Sequence, residues 1–294
     1  MTGPVSERGL LWGASTLGCA ELSLPEIGKL LSEFGLRELE LRAVDGRTDL
    51  PQWATDKGWT PLRATALLAK HQLRFGVAGS SFKLVGNDGK SRADMVAFCQ
   101  WADSWGAQYV RAFGGGTWGQ PLTEADFDQA AQTVAWWQQE RKQRGWRTEL
   151  LLETHDGFSA SGPCRNLLAR LQEPIGIIWD SHHTWRLGGE TPHESWSKLS
   201  AWIRHVHVKD SIARPSARHP YTYVLPGDGQ MPLGQVVEVL NEHQYTGAIS
   251  LEWERLWHPY LPPLREALAR LEAQPWYITS VKAVHEHQSA VIAR

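Results

Sequence analysis

Apolar segments of strand length alternate along the chain with longer amphipathic stretches. Short segments that are apolar throughout, or that alternate apolar and polar residues, predict β-strands. Eight such segments occur, at residues 10–15, 38–41, 74–79, 109–113, 149–154, 175–180, 203–208 and 248–253. Helical periodicity between them predicts helices over residues 24–34, 61–71, 92–105, 123–144 and 233–243.

Strands that alternate with helices predict an α/β protein with a parallel sheet, and eight is the number of strands that closes a (β/α)₈ barrel, or TIM barrel. The length of 294 residues suits one such domain, and no linker divides the chain, so residues 1–294 are predicted to form a single barrel domain. Residues 211–232 form a Pro- and Gly-rich insertion after the seventh strand. A C-terminal extension is expected after about residue 276, and His285 and His287 within it are expected to have no role in a site.

Composition excludes several classes of protein. Hydrophobic residues make up 42% of the chain, as in a globular protein rather than a disordered one. The net charge of -2 argues against electrostatic binding to nucleic acid or to an anionic membrane. The three cysteines are scattered, and no signal peptide or membrane-spanning segment is evident. A cytoplasmic protein is therefore expected, with its oligomeric state open and a homo-oligomer included.

Groups that can bind a metal end four consecutive predicted strands. They are Glu153, Asp180, His207 and Glu252, on the fifth to eighth strands. Active sites of such barrels lie at the carboxyl ends of the strands, where these side chains converge. An unpaired charge after an apolar strand is costly to bury, and one shared dication offsets that cost for all of them. Three carboxylates and one imidazole favour Mn²⁺ or Mg²⁺, while Co²⁺ and Zn²⁺ are also compatible.

Several sequence stretches carry a family resemblance. The stretches LLETHDGF, IGIIWDSHH, IRHVHVKD and PGDGQMPLGQVVEVLNEHQYTGAISLEWE resemble the sugar phosphate isomerase/epimerase group of xylose isomerase-like TIM barrels, with weaker similarity in GLRELELR and GAQYVRAFGGG. The resemblance extends to about Pro263. It implies that Glu153, Asp180, His207 and Glu252 bind the metal, and that the two glutamates exchange the substrate proton. It also implies that His183, three residues after the aspartate, binds substrate.

Two departures from the family pattern weaken the assignment of this chain to one member of that group, the ketose 3-epimerases. Those enzymes carry a second glutamate shortly after the ligand of the fifth strand, whereas HDGFSASG contains none. They also carry an arginine six residues after the metal-binding histidine. That position is Ala213 here, with Arg214 beside it as the candidate substrate-binding residue.

Further substrate-binding candidates lie near the same strand ends. His155 shares the strand face of Glu153, and His258 follows the eighth strand. Lys209 shares the face of His207 and is predicted either to bind an anionic group or to be a solvated lysine. Arg111 ends the fourth strand, where it either binds a phosphate or carboxylate or pairs with an acid. Arg42, after the second strand, is expected to form a salt bridge with a neighbour.

These residues favour a metal-dependent isomerase or epimerase. The substrate is expected to be a small sugar or related hydroxyketone, whose proton moves between Glu153 and Glu252 through an enediolate. The alternative is a dehydratase of the same fold, similar to dehydroshikimate or inosose dehydratases. An endonuclease IV-like phosphodiesterase is less favoured, because a basic groove and additional histidine ligands are missing. The quartet also argues against a sugar-binding protein without catalysis.

Overall fold

Eight parallel strands close into a barrel in the computed structural model, which describes residues 9–281. The ten strands of the described residues are β1 (Leu11–Ser15), β2 (Glu38–Leu41), β3 (Arg74–Lys83), β4 (Tyr109–Phe113), β5 (Glu149–Glu153), β6 (Gly176–Asp180), β7 (Ile203–Val208), β8 (Asp210–Ile212), β9 (Thr222–Val224) and β10 (Ala248–Leu251). The barrel runs β1-β10-β7-β6-β5-β4-β3-β2, and β1 pairs with both β2 and β10 to close it. The predicted TIM barrel is confirmed.

Helices connect the strands. They are α1 (Leu24–Glu33), α2 (Leu50–Asp56), α3 (Pro61–Lys70), α4 (Gly89–Ser104), α5 (Glu124–Arg144), α6 (Ser161–Leu168), α7 (Ser181–Arg186), α8 (Pro192–Leu199), α9 (Leu233–Glu242) and α10 (Leu264–Glu272). The five predicted helices are confirmed within a few residues at each end. At the start of α5, the Thr123 hydroxyl accepts a hydrogen bond from the Asp126 N–H, because Thr123 is the N-cap. The helices without a sequence prediction are short, so they offer few turns in which a period could be recognised.

The barrel interior is filled in layers. Side chains two residues apart on a strand share a face, so the layer beneath the strand-end residues contains Leu151 and Ile178, which are fully buried. His205 lies in the same layer, as expected for a packed histidine, and its Nε2 lies 2.8 Å from Ser250 Oγ. This filled layer forms the floor beneath the strand ends.

The insertion after β7 is ordered by a small antiparallel hairpin, β8–β9. Asp210, the first residue of β8, accepts hydrogen bonds from the backbone N–H groups of Ser211, Gly227, Gly229 and Met231. One carboxylate therefore fixes both the base of the hairpin and the loop that returns to α9.

The start of the expected C-terminal extension packs on the barrel. The Ser280 carbonyl accepts the Leu10 N–H, and the Ser280 hydroxyl accepts the Trp12 indole N–H, both at 2.9 Å. The later part of the extension, with His285 and His287, lies outside the described residues. Among residues 9–281, no helix has the length and apolar character needed to cross a membrane.

Candidate metal centre and active site

The four strand-end residues converge at the carboxyl end of the barrel. Glu153, Asp180 and His207 lie on β5, β6 and β7, and Glu252 directly follows β10. Each offers one oxygen or nitrogen atom, and these four atoms all lie within 4.8 Å of one another. All four side chains are buried. The spacing suits one ion, because ligand atoms about 2.0–2.6 Å from a Mg²⁺ or Ca²⁺ ion lie within about 5 Å of each other.

Asp180 has a second task that fixes its direction. Its Oδ1 accepts the His183 N–H at 2.9 Å and caps α7, which leaves Oδ2 facing the other three residues. The Asp180 N–H donates to the Thr154 hydroxyl at 2.8 Å, which ties the end of β6 to the end of β5. The carboxylate is thus positioned from both sides before any ligand binds.

His207 is oriented by a carboxylate behind it. Its Nδ1 lies 3.4 Å from Glu153 Oε1 and 3.5 Å from Glu252 Oε2, while its Nε2 lies 2.8 Å from Glu40 Oε2. Histidines that bind metals commonly donate their other ring N–H to a carboxylate, which fixes the ring and its tautomer. Glu40, on β2, therefore supports the quartet from the opposite side of the barrel. The sequence did not indicate this partner, because Glu40 and His207 are 167 positions apart.

Two buried cations contact the quartet. The Arg111 Nη1 lies 3.0 Å from Glu153 Oε2 and 3.5 Å from Glu252 Oε1, so Arg111 pairs with acids. The Lys209 Nζ lies 2.7 Å from both Asp180 Oδ2 and Glu254 Oε1, and it also donates to Glu252. Lys209 is 1% exposed, so the alternative of a solvated lysine is wrong. The carboxylates on every side of its ammonium explain its burial.

The donor set fits a divalent metal. Glu153 Oε1 and His207 Nδ1 are buried without a hydrogen-bond partner among the described residues, while Glu153 Oε2 and Asp180 Oδ2 are contacted by Arg111 and Lys209. Buried polar atoms normally have partners, so orphaned donor atoms beside clustered carboxylates fit a bound cation. Carboxylates also outnumber the cations that contact them. Of the five buried carboxylates in this region, Glu153, Asp180, Glu252 and Glu254 share the two cations Arg111 and Lys209, whereas Glu40 contacts only the rings of His205 and His207. A dication would offset the excess negative charge.

The two glutamates of the quartet have different proton affinities. Burial alone would raise the pKa of Glu153, but the Arg111 guanidinium and the His207 ring hold that pKa well below its usual range. Burial raises the pKa of Glu252 to about 7, although Lys209 and His207 oppose the shift. Environments that push the pKa values of two neighbouring carboxyls apart are typical of acid/base pairs.

A cavity of about 380 Å³ opens above the quartet, and we call it the carboxyl-end cavity. Glu153, Glu252 and Arg111 lie in its lining, together with the predicted candidates His155 and His258. Its wall combines polar groups with aromatic ones, because Phe113 and Trp257 also line it. Such a mixture suits a small polyhydroxylated ligand.

Two predicted substrate-binding residues do not line the cavity, although the Nδ1 of one of them, His183, lies 3.1 Å from Asp180 Oδ2. His183 is buried behind His155, with ring centroids 4.8 Å apart, and its Nδ1 hydrogen-bonds the Thr154 carbonyl at 3.0 Å. Arg214 is exposed, in the turn after β8, and does not line the cavity.

Arg218 and His219, from the same insertion, line the cavity instead. The sequence did not indicate them, because the position of a loop residue depends on how the hairpin folds back. Glu254 was also missed, although it shares the face of Glu252 two residues earlier.

The glycine run after β4 forms a sharp turn next to the end of the strand. Gly115 and Gly116 have φ angles of 85° and 75°, in the left-handed region that favours glycine. The backbone can therefore turn sharply beside Glu153, and the Gly115 carbonyl accepts the Gly157 N–H at 3.0 Å. The run is therefore a turn between β4 and the loop that leads to α5.

Comparisons with known proteins agree with this fold. The family model described as "Xylose isomerase-like TIM barrel" matches residues 29–274. The C-glycoside deglycosidase alpha subunit of Arthrobacter globiformis is 31% identical over 134 residues, which is 40% of this chain. That match spans only 34% of the relative's length.

Solved structures show the same architecture. The probable 3-DHS dehydratase AsbF involved in petrobactin synthesis, from Bacillus anthracis, superposes with a TM-score of 0.71 at 16% identity over 90% of this chain and 100% of that one. The IOLI protein, solved with a binding zinc atom, superposes with a TM-score of 0.70 at 16% identity over 92% of this chain and 98% of that one. At such identities the superpositions show the fold, whereas the family model covers most of the sequence. The chain belongs to the xylose isomerase-like TIM barrel family.

Proposed function

We propose that the protein is a divalent-metal-dependent isomerase or epimerase that moves a proton beside the carbonyl of a sugar or related hydroxyketone. The observation that carries the proposal is the position of Glu153 and Glu252. Both line the carboxyl-end cavity, both belong to the quartet, and Arg111 contacts both. One divalent ion would be held by Glu153, Asp180, His207 and Glu252, with Mn²⁺ or Mg²⁺ favoured and Co²⁺ or Zn²⁺ compatible.

The chemistry divides between the ion and the side chains. A bound divalent ion supplies Lewis-acid polarisation of a substrate carbonyl. One glutamate takes the proton from the carbon beside that carbonyl, and the other returns a proton to a neighbouring carbon or to the opposite face. Arg111 holds the two carboxylates in one orientation and keeps a positive charge next to them. The buried floor and the aromatic wall limit the access of water to the reacting carbon.

A dehydratase is the second candidate, and one observation favours it. Loss of a β-hydroxyl requires a proton donor for the leaving oxygen, in addition to a base. His155 lines the cavity 2.9 Å from Asp156; burial would lower its pKa, but Asp156 and Glu153 raise that pKa overall. A protonated His155 could donate to a leaving hydroxyl. A probable dehydratase, AsbF, shares the fold. Proton donation by His155 to a leaving hydroxyl is therefore the step that a dehydratase would need and an isomerase would not.

The proposal is tested by product analysis in D₂O. The metal-loaded protein would be mixed with ketoses, keto-sugars and cyclic hydroxyketones. An isomerase or epimerase is expected to give isomeric products carrying deuterium beside the carbonyl, unless the abstracted proton is shielded and returned. A dehydratase would give a conjugated product with new ultraviolet absorbance. Binding without any product from the panel would contradict both proposals.

Two variants assign the proton transfer. Glu153→Gln and Glu252→Gln should each reduce turnover by about 10²–10⁴-fold, because general acid/base catalysis contributes about that much. The amide oxygen can still bind a metal, so metal content is measured in parallel. Glu38→Gln is the matched control, because Glu38 is an equally buried glutamate at the opposite end of the barrel. Near-normal turnover by both metal-loaded variants would show that the two glutamates are not the acid/base pair.

A further inference from the structure

Arg42 is a buried arginine whose position is built by three neighbours. It follows β2, lines the carboxyl-end cavity and is 6% exposed. Its backbone N–H donates to the Thr16 hydroxyl at 2.9 Å, and its Nη2 donates to the Ser81 hydroxyl at 2.7 Å. Its aliphatic stem crosses Gly79, where an added Cβ would lie 2.7 Å from Arg42 Cδ. A glycine at this position thus leaves the space that the side chain occupies.

The charge of Arg42 has no direct partner. Among residues 9–281, no carboxylate oxygen lies within 4.0 Å of its guanidinium, so the expected salt bridge is not formed. Its Nε is buried and makes no hydrogen bond to the described residues. Arg111 and Lys209 differ, because both are in contact with the quartet. Among residues 9–281, Arg42 is therefore the buried arginine or lysine of this region that has no carboxylate in contact.

Arg42 lies in a partly apolar region of the cavity. The Trp257 ring centroid lies 5.9 Å from its guanidinium carbon, and Leu17 lines the same part of the cavity. Glu40, Glu153 and Glu252 attract it only from a longer distance, and burial beside Arg111 lowers the pKa of Arg42 to about 10. The group therefore stays charged at neutral pH. A buried charge without a partner is costly, which is the condition that an anionic ligand relieves.

We propose that Arg42 binds an anionic group of the substrate, a carboxylate or a phosphate, in a subsite formed with Leu17 and Trp257. This inference rests on the proposed function, since it makes the substrate an acidic sugar or hydroxyketone. The guanidinium presents a planar fork of donors that matches carboxylate and phosphate oxygens. A substrate extending from the quartet toward β2 would place its reacting carbon at Glu153 and Glu252 and its anion at Arg42.

Calorimetric titration of the full-length protein tests the subsite. Inorganic phosphate is one probe, and two matched pairs are the others: shikimate against its methyl ester, and D-glucuronate against D-glucose. The wild type is expected to bind the anionic member of a pair more tightly than the neutral one. Arg42→Met should weaken phosphate and that anion by roughly 10–100-fold and remove the difference, because a hydrogen bond to a charged group is lost. The phosphate and carboxylate probes show which anion the site prefers.

Matched variants separate this role from a structural one. Arg255→Met is the control, because Arg255 pairs with Glu21 outside the cavity and should leave binding unchanged. Gly79→Ala should displace the Arg42 stem and weaken the same anions without removing a charge. Arg42→Met is also expected to keep or raise the melting temperature, since it removes an unpartnered buried charge. A structural arginine would instead lower the melting temperature and leave anion binding unchanged.

The outcomes distinguish this inference from the proposed function. Equal affinity of wild type and Arg42→Met for every anion would overturn the subsite, and so would loss of binding in Arg218→Met alone. Turnover of neutral ketoses in that case would leave the isomerase proposal intact. Arg42-dependent anion binding without turnover of any hydroxyketone would support the subsite and contradict the proposed function.

Discussion

The barrel has a cavity at each end, and the larger one is not the candidate site. The amino-end cavity measures about 470 Å³ and is lined by Glu38, Arg74, Tyr109 and Tyr245 among others. There Glu38 accepts a hydrogen bond from Arg74 at 2.9 Å, and no buried side-chain polar atom in the described lining lacks a partner. The carboxyl-end cavity is smaller, yet polar atoms beside it are orphaned. In this protein, unsatisfied polar atoms rather than cavity volume distinguish the candidate site.

The largest difference between the two ends should appear in metal content. His207→Ala and Asp180→Asn are expected to reduce the bound metal from about one ion per chain to less than about a tenth of that. Asparagine keeps an oxygen that can cap α7, so Asp180→Asn tests metal binding with the helix start retained. Elemental analysis of purified protein measures the effect, with Glu38→Gln as the amino-end control. Equal metal content in the wild type and the three variants would show that the carboxyl end is not the metal-binding end.

A smaller effect on metal affinity is expected from Glu40, which contacts His207 but is not in the quartet. Glu40→Gln keeps an acceptor for the His207 ring but removes the charge that orients it. Groups that orient a metal-binding histidine commonly contribute about 10–100-fold in metal affinity, and the lower part of that range is expected here. Competition with a chelator measures the affinity. If Glu40→Gln bound the metal as tightly as the wild type, only the four quartet residues would determine metal affinity.

His183→Ala tests how far the site extends below the cavity wall. The metal should remain, because His183 contacts Asp180 Oδ2 at 3.1 Å but is not one of the four quartet residues. Loss of the histidine is expected to raise KM roughly 2–10-fold through its contact with His155, the size of one ordinary hydrogen bond. Steady-state kinetics and metal analysis check both parts. An unchanged KM would make His183 a structural residue, and metal loss would mean that it belongs to the ligand set.

The smallest effect on the candidate site is expected at the amino end. Arg74→Met removes the hydrogen-bond donor of Glu38, whose side chain is 1% exposed, so the free energy of unfolding should fall by about 1–3 kcal/mol. Activity and metal content should not change. Chemical denaturation measures the stability. A reduction in metal content would show that the two ends are coupled through the barrel interior.

The sequence predicted the quartet residues because two rules apply together. Apolar runs located the strands, and the strand ends of a barrel converge whatever the loops contain. No such rule predicted which acids the arginine and lysine side chains would contact. Arg42 was expected to pair with an acid, yet Glu40, two residues earlier on the same face, pairs with His207, 167 positions away. Whether a carboxylate lies within reach of an arginine depends on side-chain directions that only the closed barrel defines.

The hairpin shows the same limit for local structure. Proline and glycine in residues 211–232 indicated a loop, and the β8–β9 pairing inside it depends on Asp210 collecting four backbone N–H groups. No pattern of hydrophobic residues announces that arrangement. Arg218 and His219 could therefore not be assigned to the cavity from the sequence.

The Asp210 anchor has a consequence for how such a protein can acquire new substrates. It fastens both stems of the insertion immediately after Lys209, so the tip between them, residues 213–220, can vary in length and composition while its base stays fixed. Replacement of the tip would change which substrates can enter the cavity above Glu153 and Glu252. It would not move the strand-end residues. Divergence and engineering of selectivity can thus proceed separately from the chemistry beneath.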